Sequence, residues 1–193
     1  MRRSEDDEWA ALAAAWPRAL IESGAAERIT DDWLSRTRQA ARDGQPAWPR
    51  YVLDRPLAEV LFEVRRARRV VRGLEAAGEK LDREQAALSR TPAAQSRGRR
   101  VSRLLLLGAD GSPRFYRQAE KLAERHLDRL AVVVVEADED ALGAALYGEG
   151  KRVRAVLIDH KDAVIALLEG LMWQSECDEA GNTSGTEQSL VSE

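Results

Sequence analysis

Cysteine is nearly absent, with Cys177 the only one in 193 residues. One thiol closes no internal disulfide, so the chain needs no oxidising compartment, and a cysteine-built zinc site is excluded by the same count. Aromatics are scarce at 5%, so aliphatic side chains must supply most of any core. Long hydrophobic runs are missing as well. Apolar stretches such as 104–107 and 130–135 are strand-sized, and no apolar run approaches the roughly 20 residues of a membrane span. Near the N-terminus two arginines and an alanine run imitate a secretory signal, but Glu5, Asp6, Asp7 and Glu8 stand where its apolar segment should begin. A cytoplasmic location is therefore expected, and the arginine- and alanine-rich composition points to a high-GC bacterial genome.

What the chain does have is charge, unevenly spread. A net charge of −3 conceals −2 over residues 1–49, +7 over 50–103, −3 over 104–173 and −5 over 174–193. A basic middle between acidic ends says more about partners than the total does.

The hydrophobic pattern divides the chain into a helical segment (1–49), a long helix with a linker (50–98), an α/β domain (99–173) and a disordered acidic tail (174–193). Residues 5–23 read as a helix carrying Trp9, Leu12, Trp16 and Leu20 at helical spacing, with Pro17 placed to kink or split it. Thr30 reads as the N-cap of a second helix reaching Asp43. From Pro56 to Arg90 the pattern predicts one unbroken helix: Leu57, Val60, Val64, Ala67, Val71, Leu74, Gly78, Leu81, Gln85 and Leu88 keep heptad a and d phase. Homodimerisation through 56–90 and packing against another element of the same chain both fit such a seam. Residues 91–98 read as a linker. Beyond them strands at 101–107, 130–135 and 153–158 alternate with helices at 114–128, 138–146 and 162–172. Strands that are apolar throughout are buried on both faces, and their alternation with helices predicts a small, mainly parallel three-layer sheet with right-handed crossovers.

In such a sheet chemistry belongs beyond the carboxyl ends of the strands. Those ends carry Gly108, Asp110, Gly111 and Ser112, then Glu136, Asp138, Glu139 and Asp140, then Asp159, His160 and Asp162. The glycine order matches neither a dinucleotide fingerprint nor a phosphate loop. A Ser112 cap followed by Pro113 explains that turn as a helix start, and the acidic residues read as helix caps ahead of a magnesium site made by Asp110, Asp159 and Asp162. Neither His126 nor His160 has a nucleophile partner legible in sequence, so no catalytic residue, metal or cofactor is assigned.

The stronger signal is basic. Arg65, Arg66, Arg68, Arg69 and Arg72 leave the predicted helix net positive, with Glu63 and Glu75 alone close enough to relieve them. Arg97, Arg99, Arg100 and Arg103 form a second cluster before the α/β domain. All nine suit phosphate contact with RNA or another polyanion. The alternative is a solvated face that meets acidic segments of the same chain. No aromatic residue interleaves the arginines in sequence, which leaves base stacking unsupported.

Three stretches, RLLLLGADGSP, EDALGAALYG and VRAVLIDHKDAVIALLEGL, resemble in order and spacing the small α/β domain of the ribosomal kink-turn-binding protein superfamily. That resemblance covers residues 101–171 with a partial motif match, and implies a three-layer α/β sandwich that binds structured RNA. The same region also resembles the first half of a receiver domain, lacking its last two βα units. There Asp159 would hold the phosphoacceptor position, with Asp110 among the acidic residues. The reading carried forward is a non-catalytic RNA- or polyanion-associated α/β module with a helical extension.

Overall fold

The apolar runs form strands where they were expected, and the helices between them cover both faces of one sheet. A computed structural model describes residues 5–43, 46–90 and 99–183. In chain order the elements are α1 (Glu5–Ala13), α2 (Arg18–Glu22), α3 (Ala25–Arg42), β1 (Arg50–Val52), α4 (Arg55–Arg66), β2 (Val70–Arg72), α5 (Leu74–Leu88), β3 (Arg103–Gly108), α6 (Pro113–Arg125), β4 (Leu130–Glu136), α7 (Glu139–Tyr147), β5 (Ala155–Ile158) and α8 (Lys161–Thr183). The strands lie in the order β1-β4-β3-β5-β2.

The sheet is mixed. β1, β4 and β3 are parallel neighbours, whereas β5 runs antiparallel to both β3 and β2. The third strand of the α/β region thus opposes the direction expected of it. After α7 the chain turns at Gly148 and Gly150, both with positive φ, and residues 151–153 run back along that helix, with the Val153 amide donating to the Glu139 carbonyl at 2.8 Å. β5 therefore starts again from the end at which β3 and β4 finish. A Cβ at Gly143 would overlap the Lys151 carbonyl, so only glycine admits this close return.

Burial follows the pleat. Leu104, Leu106, Val133, Val135, Val156 and Ile158 point into a core shared with α1–α4, α7 and α8. Leu105, Leu107, Val132, Val134 and Leu157 point into a smaller core under α5 and α6. The result is the three-layer arrangement expected, but its sheet takes β1 and β2 from upstream of residue 99.

The single helix predicted over 56–90 is replaced by α4, β2 and α5. Arg68 takes a positive φ of 56° after α4, and Gly73 takes one of 89° before α5. Between them Val70 and Val71 pair with β5. The heptad seam divides accordingly: Leu57 and Val64 enter the larger core, and Leu81 enters the smaller one. One straight helix cannot bury its stripe on two faces of a sheet. Leu57, Val64 and Leu81 of that seam pack within the chain, whereas Ala67 stays exposed.

Other boundaries shift for local reasons. Pro17 splits the first helix into α1 and α2. Thr30 lies inside α3, not at its start: its buried hydroxyl donates to the Ala26 carbonyl at 2.7 Å and accepts from the Trp16 indole at 2.9 Å. α8 continues past the predicted end near Trp173. There the buried Gln174 amide donates to the Val52 carbonyl at 2.6 Å and accepts from the Val52 amide at 3.1 Å. The linker 91–98, the turn residues Gly44 and Gln45 and the tail residues 184–193 lie outside the described residues. No helix among the described residues is long and apolar enough to cross a membrane.

Two predictions follow from this packing. Gly143→Ala forces residues 151–153 off α7 and destabilises the fold by about 2 kcal/mol or more, seen as a lower urea midpoint at unchanged slope. The second concerns Tyr51, buried on β1, whose hydroxyl donates to Asp32 at 2.7 Å. Burial first, then the Asp32 charge and hydrogen bond, hold its pKa well above 10.0, with Arg36 opposing. A raised native pKa gives stability that is present below the unfolded value near 10 and lost as pH climbs through the native one. Urea unfolding above about pH 10 therefore shows a stability loss that Tyr51→Phe lessens.

Candidate nucleic-acid interface

The end of the sheet where β3 and β4 finish is rich in acidic side chains, and helix starts use several of them. The Ser112 hydroxyl accepts from the Phe115 amide at 3.2 Å and the Asp138 carboxylate from the Ala141 amide at 2.7 Å, each filling a capping role. The other carboxylates meet arginines. Arg154 lies 2.8 Å from Glu139 and 3.4 Å from Asp110, Arg152 lies 3.2 Å from Asp140, and Arg50 lies 3.2 Å from Glu136.

The reversed β5 separates the residues that a receiver-like or magnesium site would need together. Asp110 follows the finish of β3, whereas Asp159 follows Ile158, whose partner is Leu104 near the start of β3. A six-residue strand puts those ends roughly 17 Å apart at about 3.3 Å per residue. Asp159 is paired with Lys80 at 3.5 Å and Asp162 with Arg69 at 4.0 Å. Among the described residues no cluster of His, Cys, Asp or Glu is arranged to hold a metal ion.

At that opposite end a partly buried ion-pair cluster ties α5 to the sheet, and sequence reading missed it. Glu84 accepts two hydrogen bonds from Arg103, at 3.0 and 3.1 Å, and one from Arg129, and it lies 3.7 Å from Lys80. Burial lowers the pKa of both guanidiniums. His126 is buried beside them, its Nε2 3.0 Å from Asp82. These charges come from residues 80–84, 103 and 126–129, so no local motif announces them.

The predicted arginines do not form one surface. Arg103 is engaged in the Glu84 cluster. Arg99 lines a recess with Glu8, Trp33 and Thr37, and the Arg100 amide donates to the Asp128 carbonyl at 2.7 Å. Arg97 lies outside the described residues. The structure does gather Arg65, Arg66, Arg68, Arg69 and Arg72 on the corner where α4 ends and edge strand β2 begins. Arg65 and Arg66 occupy the last turn of α4, where the helix dipole favours cations.

Few acidic groups reach that corner. Glu63 lies 3.6 Å from Arg66, both strongly exposed, and Asp162 lies 4.0 Å from Arg69. Among the described residues no carboxylate lies within ion-pair distance of Arg65, Arg68 or Arg72. Arg65 and Arg72 instead lie over the Tyr147 ring, 5.4 and 5.7 Å from its centroid, in cation–π range. Burial raises the pKa of the Tyr147 hydroxyl, while Arg72 and Arg65 pull it down. Tyr147 is 75 positions from Arg72 in sequence, so the aromatic interleaving missing along the chain is present in space.

The Glu84 cluster yields its own expectation. Glu84→Ala leaves Arg103, Arg129 and Lys80 together without their shared carboxylate. The fold then loses about 3 kcal/mol, measured by chemical denaturation, while the exposed arginine corner keeps its charge.

No protein-family model and no curated protein matches the chain. Among solved structures it is similar to a protein of unknown function from Bacillus halodurans, with 18% identity and a TM-score of 0.41 over 60% of this chain and 97% of that one. It is also similar to a 15.5 kDa RNA-binding protein from Giardia lamblia, with 15% identity and a TM-score of 0.42 over 63% of this chain and 86% of that one.

Proposed function

We propose that this chain is a non-catalytic, RNA-associated module that holds phosphate on the arginine corner formed by α4 and β2. The observation that carries this reading is the convergence of Arg65, Arg66, Arg68, Arg69 and Arg72 with two exposed carboxylates in reach. Arginines that outnumber the carboxylates in reach attract phosphate by charge and by their fixed fork of donors. A solvated face that meets acidic segments of its own chain is the competing account. The carboxylates of the sheet end are committed elsewhere, to Arg50, Arg152, Arg154 and helix caps. Among polyanions, RNA is favoured by the resemblance of residues 101–171 to kink-turn-binding proteins.

The non-catalytic part of this proposal is supported by the surroundings of the two histidines. His160 Nδ1 accepts from the Asp162 amide at 3.3 Å, and His126 is buried against Asp82. Among the described residues neither is hydrogen-bonded to a hydroxyl or thiol that it could activate.

Titrating salt against RNA binding tests the proposal. Log affinity is expected to fall linearly with log salt, with a slope of about −0.7 for each phosphate neutralised on a single strand. Arg65→Ala and Arg72→Ala should each make the slope shallower by about one contact, without altering the unfolding free energy by more than about 0.5 kcal/mol. A flat salt response, or no binding at low salt, would falsify it.

A further inference from the structure

We infer that the corner takes unpaired nucleotides, with a base stacked on Phe62 while Arg65 and Arg72 hold the phosphates beside it; this rests on the RNA-associated reading above. Among the described residues Phe62 is one of the few large apolar side chains left in solvent, at 46% exposure. Its place on α4 follows from the buried positions. Leu57, Leu61 and Val64 face the core, and Val60 lies against Gly170 of α8. At 100° per residue the flank opposite Val60 carries Ala58, Phe62 and Arg65, and Arg65 on that flank reaches Tyr147, the last residue of α7. Phe62 and Arg65 are neighbours at i and i+3. The surface therefore runs from an exposed ring through a guanidinium to a half-buried ring and a second guanidinium.

That alternation matches a single strand. Each nucleotide offers a π-face and a phosphate, and every base stacks, so an aromatic ring between cations binds without reading sequence. A duplex hides its base faces and can use only the arginines. An apolar peptide would need a continuous hydrophobic patch, and here one ring is bordered by Arg65 and Arg66. Contact with the half-buried Tyr147 ring holds Arg65 and Arg72 in place before any ligand arrives, which lowers the ordering cost of binding.

The test compares three probes with the full chain at low salt by fluorescence anisotropy or competition: a short uridine oligonucleotide, an RNA duplex of equal charge, and inorganic polyphosphate. The wild-type protein should prefer the oligonucleotide to polyphosphate. Phe62→Ala should weaken the oligonucleotide about ten-fold and leave polyphosphate unchanged, while Phe62→Trp retains binding. Circular dichroism of Phe62→Ala should match the wild type, because the ring is half exposed. Equal loss on every probe, or no loss on any, overturns the stacking role. Binding of all three that weakens only with Arg65→Ala and Arg72→Ala leaves the phosphate reading standing and removes this one. Failure of every probe to bind at low salt removes both.

Discussion

Everything in this fold answers to one constraint: the central strands are apolar on both faces. Leu104 to Leu107, Val132 to Val135 and Ala155 to Ile158 alternate between two cores, so neither face of the sheet can remain in water. Two helices, α5 and α6, cover one side. The other needs six, and the region from residue 99 onward supplies only α7 and α8. The N-terminal half is therefore recruited as part of the cover, with Trp16 and Leu20 fully buried beside Leu57 and Leu61. Its two short strands then extend the sheet at both edges.

How much of this was legible depended on whether the signal was local. The runs at 104–107 and 130–135, the Ser112–Pro113 start and the Asp138 cap could be read because neighbouring residues decide them. The heptad pattern at 56–90 misled because periodicity reports which residues are apolar, not which core receives them. A three-residue strand such as Val70–Arg72 is too short to show a period, and its formation depends on β5 lying beside it. Strand direction was equally hidden, since the return of residues 151–153 along α7 rests on Gly143 and two turn glycines. The candidate site divides the same way. The arginines of 65–72 were plain in sequence; Tyr147 and Glu84 joined the account only through tertiary contact.

The break at Arg68 links fold to surface. A continuous helix would spread its arginines along a rod, with Glu63 and Glu75 one turn from Arg66 and Arg72. Ending α4 at Arg66 and entering the sheet folds those charges into a corner, and the corner rests on α7 through Tyr147. Opposing strands and split helices thus shape the electrostatics of one edge of the molecule.

The two sheet edges have a consequence of another kind. A bare edge strand is a template on which other chains can add, the route to fibrous association. At β1 the Gln174 amide occupies both hydrogen-bonding groups of Val52 as a neighbouring strand would, so that position is already taken. At β2 the edge is three residues long, with Arg69 just before it and Arg72 at its end, whose like charges repel a second copy approaching in register. A variant stripped of those charges would lose a safeguard against self-association at this edge.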